Sequence, residues 1–350
     1  MKKYYTRACN FYYGSISKEK IKKNLSLPLN GNNLISFDKV ELLTRKSKKI
    51  ISLKKINLLP KQIKNKINKD VKNITKKKIF QNLNFLNNTN IMGVLNLTPD
   101  SFSDGGKYLK KNLAIKKFKK LINEGSEIID IGGESTSPGS KPVKEEVELK
   151  RLKPILKIIK NFDHFVSLDT RKSSIMEKGI KSGVKLINDV SGLNYDLNTT
   201  KILKKYKIPF VIHHMLGNPY TMQKNPNYKN VLLDIYDFFE KKLSHIRSFG
   251  IKHNNIILDP GIGFGKNLKH NITLIEKISI FHSLGLPVML GISRKRFIKD
   301  LSKKNDSKER IGGTIASSLF SMMQGVQILR VHNVNEVKQA IKVFIKLKFK

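Results

Sequence analysis

"NIILDPGIGFGK", residues 255–266, runs from an apolar, β-branched segment into three glycines and a lysine. Two folds hang on how it is read. A phosphate-cradling loop of the form G-x-x-x-x-G-K-[ST] would place it in an open nucleotide-binding sheet. Gly261 and Gly265 are one residue too close for that pattern, and Lys266 is followed by Asn267 rather than a hydroxyl residue. A G-x-G-x-x-G fingerprint fails as well, because position 266 is not glycine. What remains is a strand ending at Asp259, with glycines that let the backbone approach a ligand held there.

The same shape recurs along the chain. "NIMGVL" (90–95), "EIIDI" (127–131), "FVSL" (165–168), "KLIN" (185–188), "PFVIH" (209–213), "NIIL" (255–258), "PVMLG" (287–291) and "ILRV" (328–331) are short, apolar and rich in β-branched residues. That is the pattern of parallel strands buried on both faces. Amphipathic stretches long enough for crossover helices separate them. Eight strand–helix units in about 250 residues predict a closed (β/α)8 TIM barrel, with an open doubly wound sheet as the alternative.

Polar residues gather just beyond the strand ends: "NLTPDSFSDGG" (96–106), "GGESTSPGS" (132–140), "DTRK" from Asp169, "NDVSG" from Asn188, "HHMLGNP" (213–219), "DPGIGFGK" (259–266), "SRKRF" (293–297) and "RVHN" (330–333). In a parallel barrel all of these ends meet at one face, so the groups converge on one pocket. Asp169, Asn188 and Asp259 supply acceptors matched to the N–H edge of a 2-amino-4-oxo pyrimidine ring. Arg330, His332, Arg294 and Lys295 supply the opposite charge, suited to phosphate or carboxylate oxygens. Asp189 and Thr170 are read as helix caps rather than ligand contacts. His213 and His214 are adjacent, so their side chains diverge and a shared metal site is not expected; His214 is divided between packing and support of the site. The charged run at 143–162 is read as a solvated helix face.

Taken together, "MGVLNLTPDSFSDGG", "IIDIGGESTSPG", "SLDTRK", "INDVSG", "HMLGNP", "ILDPGIGFGK", "GISRKRF" and "RVHNV" resemble the dihydropteroate synthase family, pterin-binding TIM barrels of folate biosynthesis, over residues 90–346. The resemblance implies condensation of 7,8-dihydropterin-6-ylmethyl diphosphate with 4-aminobenzoate, giving 7,8-dihydropteroate and diphosphate. It implies that Asp169, Asn188, Asp259 and Lys295 hold the pterin with Met215 beside its ring. Asn96, Arg330 and His332 would bind the diphosphate, with Mg2+ as cofactor at Asn96. Thr136, Pro138 and Phe264 would border the aminobenzoate, and loops 97–107 and 134–144 would close over both substrates. The resemblance leaves a homodimer open. Ser137 stands where many relatives carry Arg, and Arg296 where a small hydroxyl residue also occurs. The rival enzyme reading, a methyltetrahydrofolate-binding methyltransferase, would share the Asp–Asn–Asp set but has no use for the cations of "SRK" and "RVH".

Residues 1–88 break the strand–helix rhythm and are set apart from the barrel at 89–350. They hold 22 basic and 4 acidic residues within a chain of net charge +41. "YYTRACNFYYGS" and "LPLNGNNLISFDKVELLTRKS" suggest short strands or hairpins, and the following stretch suggests partial helix or loose order. Polyanion binding is the alternative to a solvated, lysine-rich surface. Lysines on helix faces such as "KKNLAIKKFKKLI" (110–122) are read as solvated, so nucleic-acid binding is not expected. No apolar run reaches the roughly 20 residues of a membrane helix. "MKKYYTRACNFYYG" lacks the features of a secretory signal. Cys9 is the only cysteine, so no intramolecular disulfide forms, and a cytoplasmic location is expected.

Overall fold

Within the N-terminal segment, two long strands pair to make a sheet. β1 (Tyr5–Tyr13) and β3 (Asn32–Leu43) pair antiparallel from Tyr5↔Leu43 to Tyr13↔Ile35. The other edge of β3 takes β2 (Leu27–Leu29) and β4 (Lys48–Ser52). α1 (Gly14–Lys22) follows β1, and α2 (Lys61–Thr75) follows the sheet with Ile67, Asp70 and Ile74 buried at helical spacing. The computed structural model describes residues 3–80, 83–85, 89–98, 107–137, 139–217 and 220–349.

From Asn90 onward the chain alternates strand and helix. β5 (Asn90–Asn96), β6 (Ile128–Gly132), β7 (Phe165–Asp169), β8 (Leu186–Asp189), β9 (Phe210–His213), β10 (Ile256–Asp259), β11 (Met289–Leu290) and β12 (Ile328–Val331) form one parallel sheet in the order β10-β9-β8-β7-β6-β5-β12-β11. A parallel bridge between Leu258 and Val288 joins its two ends. The sheet therefore closes into the predicted barrel. Around it run α3 (Lys107–Asn123), α4 (Glu145–Leu156), α5 (Ser173–Lys181), α6 (Thr199–Tyr206), α7 (Val231–Ser248), α8 (Leu268–Glu276), α9 (Arg296–Ser302), α10 (Ile311–Met323) and α11 (Val334–Lys348).

The period of two along each strand sorts the core into two layers. Ile91, Leu95, Ile129, Ile131, Val166 and Leu168 point outward and pack with Phe118, Leu152 and Ile175 of the helices. Met92, Ile128, Phe165, Leu186, Val211, Ile257, Met289 and Ile328 point inward as the floor of the barrel. Phe80 and Phe85 complete that floor: both belong to its buried cluster, and Phe80 lies 6.5 Å from the Phe165 ring. The N-terminal segment thus contributes core to the barrel. It is also tied to the barrel wall, where Arg45 donates to Asp234 and Asp237 and Ser279 donates to the carbonyl of Ala8.

On α3 the expected solvated face holds, since Lys116, Lys119 and Lys120 are exposed while Ala114, Phe118 and Leu121 are buried. On α4 it does not hold throughout. Glu148 is fully buried, accepts from Thr170, and pairs closely with Lys172. A charge is kept there because a partner from β7's trailing loop neutralises it. Among the described residues no helix is long and apolar enough to cross a membrane.

Candidate active site

Parallel register lines up the functional ends. Asn96 is opposite Gly132, Gly132 opposite Asp169, and Asp169 opposite Asn188. Further round, Asp259 is opposite His213. These residues continue the inward-facing alternation begun at the floor, so one layer of the barrel interior carries most of the polar set. Gly132 keeps the row open: a Cβ there would lie 3.4 Å from the Cβ of Asp169 and 3.9 Å from Asn96 Oδ1.

Arg330 joins this layer. Its Nε donates to Asp130 Oδ2 at 2.7 Å and its Nη2 to Asp169 Oδ2 at 2.9 Å. Asn188 Nδ2 donates to the same Asp130 oxygen at 2.9 Å. Asp130 escaped the sequence reading, although "EIIDI" carried the signal: Asp130 is two residues from Ile128, on the inward face of an otherwise apolar strand. Asp130 Oδ1 and Asn188 Oδ1 are buried without a hydrogen-bond partner among the described residues. Two unsatisfied buried acceptors this close together suit a flat ligand that presents N–H donors.

Burial dominates the acid–base character of the site. It lifts Asp169 above the ordinary carboxylate range; Arg330 opposes the shift and Asp130 adds to it. Burial likewise raises Asp259 to about 6, against a hydrogen bond from the Gly261 amide and the nearby Lys295. Lys295 is lowered to about 8 by burial and by Arg330. Its Nζ sits 4.1 Å from the centre of the Phe264 ring, a cation–π contact that joins the two predicted substrate regions.

Arg330 and Arg294, read from the sequence as suited to phosphate or carboxylate oxygens, already have partners within the protein. Arg330 is already committed to two carboxylates, and Arg294 donates twice to Asn333 Oδ1, at 2.9 and 2.7 Å. His332 has its Nδ1 3.1 Å from Ser293 Oγ. Desolvation and the surrounding Arg330, Arg294, Lys295 and Lys117 hold its pKa below 6.5. The imidazole reaches solvent at the rim, so the four neighbouring cations are the firmer cause.

At Gly261 the turn answers to chain packing. Gly261 has φ +69°, and a Cβ there would fall 1.9 Å from the His214 carbonyl oxygen. Lys266 reinforces this contact by donating to His214 Nδ1 at 3.0 Å and to the Phe264 carbonyl at 2.9 Å. That assigns His214 to support of the turn. His213 is held separately, its Nδ1 3.0 Å from the Val190 carbonyl and its ring edge-on to Phe264.

Asp189 and Thr170 also depart from expectation in detail. Asp189 accepts from the amides of Ser191 and Leu193, a turn rather than a helix start. Thr170 donates to Glu148. Glu134, another residue the sequence reading passed over, accepts twice from Arg171 and once from the Val143 amide. It ties down both ends of the 134–143 loop.

A cavity of about 720 Å³ opens above this layer, lined by Asn96, Thr136, Phe264, Lys295, Arg330 and His332 among others. Asp169, Asn188 and Asp259 lie beneath it, 2–5% exposed. Met215 follows β9, half-buried, outside the cavity lining. Pro138, most of the 97–107 loop, and Asn218 and Pro219 of "HMLGNP" lie outside the described residues.

Barrel and site together define an enzyme that holds a flat, donor-rich ring at the carboxyl ends of its strands. Residues 92–332 match the family described as pterin binding enzyme, and the chain belongs to that family, among its dihydropteroate synthases. It is 41% identical over 255 residues to dihydropteroate synthase of Haemophilus influenzae, covering 73% of this chain and 92% of that protein. Its structure is similar to Yersinia pestis dihydropteroate synthase in a sulfonamide drug complex, with a TM-score of 0.72, 35% identity, and coverage of 78% of this chain and 99% of that one. The Xanthomonas albilineans enzyme in complex with 7,8-dihydropteroate is similar at a TM-score of 0.68 and 30% identity, covering 76% of this chain and 95% of that one.

Proposed function

We infer that the chain joins 7,8-dihydropterin-6-ylmethyl diphosphate to 4-aminobenzoate, releasing diphosphate and forming 7,8-dihydropteroate. The observation that carries this reading is the buried row of acceptors Asp130, Asp169 and Asn188 beneath Arg330, with Asp259 and Lys295 nearby. A pyrimidine ring bearing an amino group would donate to Asp169 and Asp259 and to the unsatisfied Asn188 oxygen, while Lys295 donates to its carbonyl. Binding would restore full charge to the two raised carboxylates by giving them donors.

The methylene carbon then lies toward Asn96, Arg330 and His332. Breaking its bond to the diphosphate oxygen puts negative charge on the leaving group, where Arg330 and His332 donate hydrogen bonds. Asp169 and Asp259 favour the positive charge left on the pterin-methylene unit. The neutral arylamine nitrogen attacks that carbon and loses its proton to solvent, so no activated Ser or Cys nucleophile is required. Loops closed over the site would keep water from the cation.

Mg2+ suits the donor set. Among the described residues no group of three or more His, Cys, Asp or Glu forms a cage, and the Asn96 amide oxygen is a hard ligand of the kind Mg2+ takes singly while keeping water and phosphate oxygens. When bound, the ion would neutralise charge on the diphosphate. The test is a coupled assay with purified protein: diphosphate should appear only when both substrates and Mg2+ are present. Diphosphate released equally fast without 4-aminobenzoate would contradict the condensation. The methyltetrahydrofolate reading has no observation in its favour at the diphosphate end. A homodimer and a cytoplasmic location remain proposals, to be checked by sedimentation and by fractionation.

A further inference from the structure

We propose that Arg171 is a positioning residue for the second substrate: acting through Glu134, it holds the loop after β6 so that Thr136 forms part of the main cavity wall. This rests on the aminobenzoate reading above and goes beyond it by naming what sets that loop in place.

Bonds within the loop fold it on itself. Ser140 donates from Oγ to the Ser135 carbonyl at 2.8 Å and from its amide to the Ser137 carbonyl at 3.1 Å. The Glu134 carboxylate attaches the loop to the barrel. Its Oε1 accepts from the Val143 amide at 2.9 Å and from Arg171 Nη2 at 3.1 Å, and its Oε2 accepts from Arg171 Nε at 2.9 Å. One two-pronged contact therefore anchors both ends of the loop. The Arg171 guanidinium also lies over the Tyr195 ring, 3.9 Å from its centre. Tyr195 belongs to the stretch after β8, so Arg171 ties together the loops that follow three neighbouring strands.

Arg171 supplies more than charge. Glu134, Glu148, Arg171 and Lys172 are all buried, two acids with two bases. Lys172 pairs closely with Glu148 and also lies 3.3 Å from Glu134 Oε2. A lysine at 171 would keep the balance, but an ammonium neither grips both carboxylate oxygens in one plane nor stacks flat on a ring. That plane matters because Thr136 has space on both sides. It lines the cavity of about 720 Å³ and also a second cavity of about 400 Å³, bounded by Ser135, Arg171, Val190 and Tyr195 among others. A loop released from Arg171 has room to retreat into the second cavity, which moves Thr136 away from the ring of the second substrate.

The test compares the unaltered chain with Arg171→Lys, Tyr195→Leu and Tyr195→Phe. It reads steady-state kinetics, calorimetry with a pterin lacking the diphosphate, and hydrogen exchange across residues 134–143. In Arg171→Lys, kcat/KM for 4-aminobenzoate should fall about tenfold, within the range produced by misplacing a substrate-positioning group. Affinity for the tail-less pterin should hold. Exchange at the Val143 amide should quicken, because the carboxylate that accepts from it is no longer fixed. Tyr195→Leu should move kcat/KM and exchange in the same directions by about threefold, as for loss of a partly exposed cation–π contact. Tyr195→Phe keeps the ring and should leave both unchanged. Should Arg171→Lys fail to fold, the two Tyr195 variants decide the matter. Unaltered kcat/KM for 4-aminobenzoate in Arg171→Lys and Tyr195→Leu, or an equal loss of pterin affinity, would overturn the inference while the condensation stands. Absence of dihydropteroate from the unaltered chain would overturn the condensation, while exchange at Val143 would still decide whether Arg171 holds the loop.

Discussion

The Arg330 guanidinium reaches across the barrel mouth to the Asp169 carboxylate at 2.9 Å, joining strand ends separated by 161 residues of sequence. A second bond to Asp130 makes it the counter-charge of two buried acids. In the proposed reaction the cation would therefore serve the pterin acceptors as well as the leaving group.

Arg330→Ala should accordingly destabilise the free protein by about 3–5 kcal/mol, the cost of leaving a buried ion partner uncompensated. Chemical denaturation reads this directly. It should also weaken binding of a pterin that lacks the diphosphate tail, whereas a role confined to the leaving group would leave that affinity intact.

Asp259→Asn and Asp169→Asn remove a charged acceptor from buried donors. Each should weaken pterin binding by about 1.5–3 kcal/mol, measured by calorimetry on the folded variants. Retained affinity in both would remove these residues from the pterin site.

Pterin affinity should fall as pH drops below about 6. Burial raises Asp259 to about 6 in the free protein, and donors from the ligand favour its ionised form, lowering its pKa in the complex. The complex then holds fewer protons than the free protein, so binding releases protons and weakens with acid through the window beneath 6. Calorimetry in buffers of different ionisation enthalpy would show the release. Proton uptake near pH 5.5 would contradict this assignment.

Phe80 is 0% exposed within the barrel floor. Phe80→Ala should cost about 3–5 kcal/mol, seen as a lowered denaturation midpoint of the barrel itself. Removal of residues 1–88 should do at least as much, because it takes Phe85 and the contacts to α7 as well. A truncated barrel of full stability would show that the floor closes without them.

If Mg2+ acts at Asn96 as proposed, chelating it should suppress turnover of the diphosphate substrate while sparing affinity for a tail-less pterin. Equal loss of both would place the ion elsewhere.

Sequence by itself determined the barrel. Eight β-branched runs of similar length, each ending in polar residues, admit few arrangements, because right-handed parallel crossovers bring every carboxyl end to one face. It also determined most of the acceptor set, since Asp169, Asn188 and Asp259 stand at those ends. Asp130 was legible through the period of two but was hidden inside an apolar run. The tertiary structure alone decided what each charge faces. Arg330 is spoken for by Asp130 and Asp169, and Gly261 is required by the His214 carbonyl. It also decided that Phe80 and Phe85 of the N-terminal segment close the barrel from below. These are contacts between residues far apart in the chain, and local spacing carries no record of them; they exist only once closure of the sheet brings the partners within hydrogen-bonding or van der Waals distance.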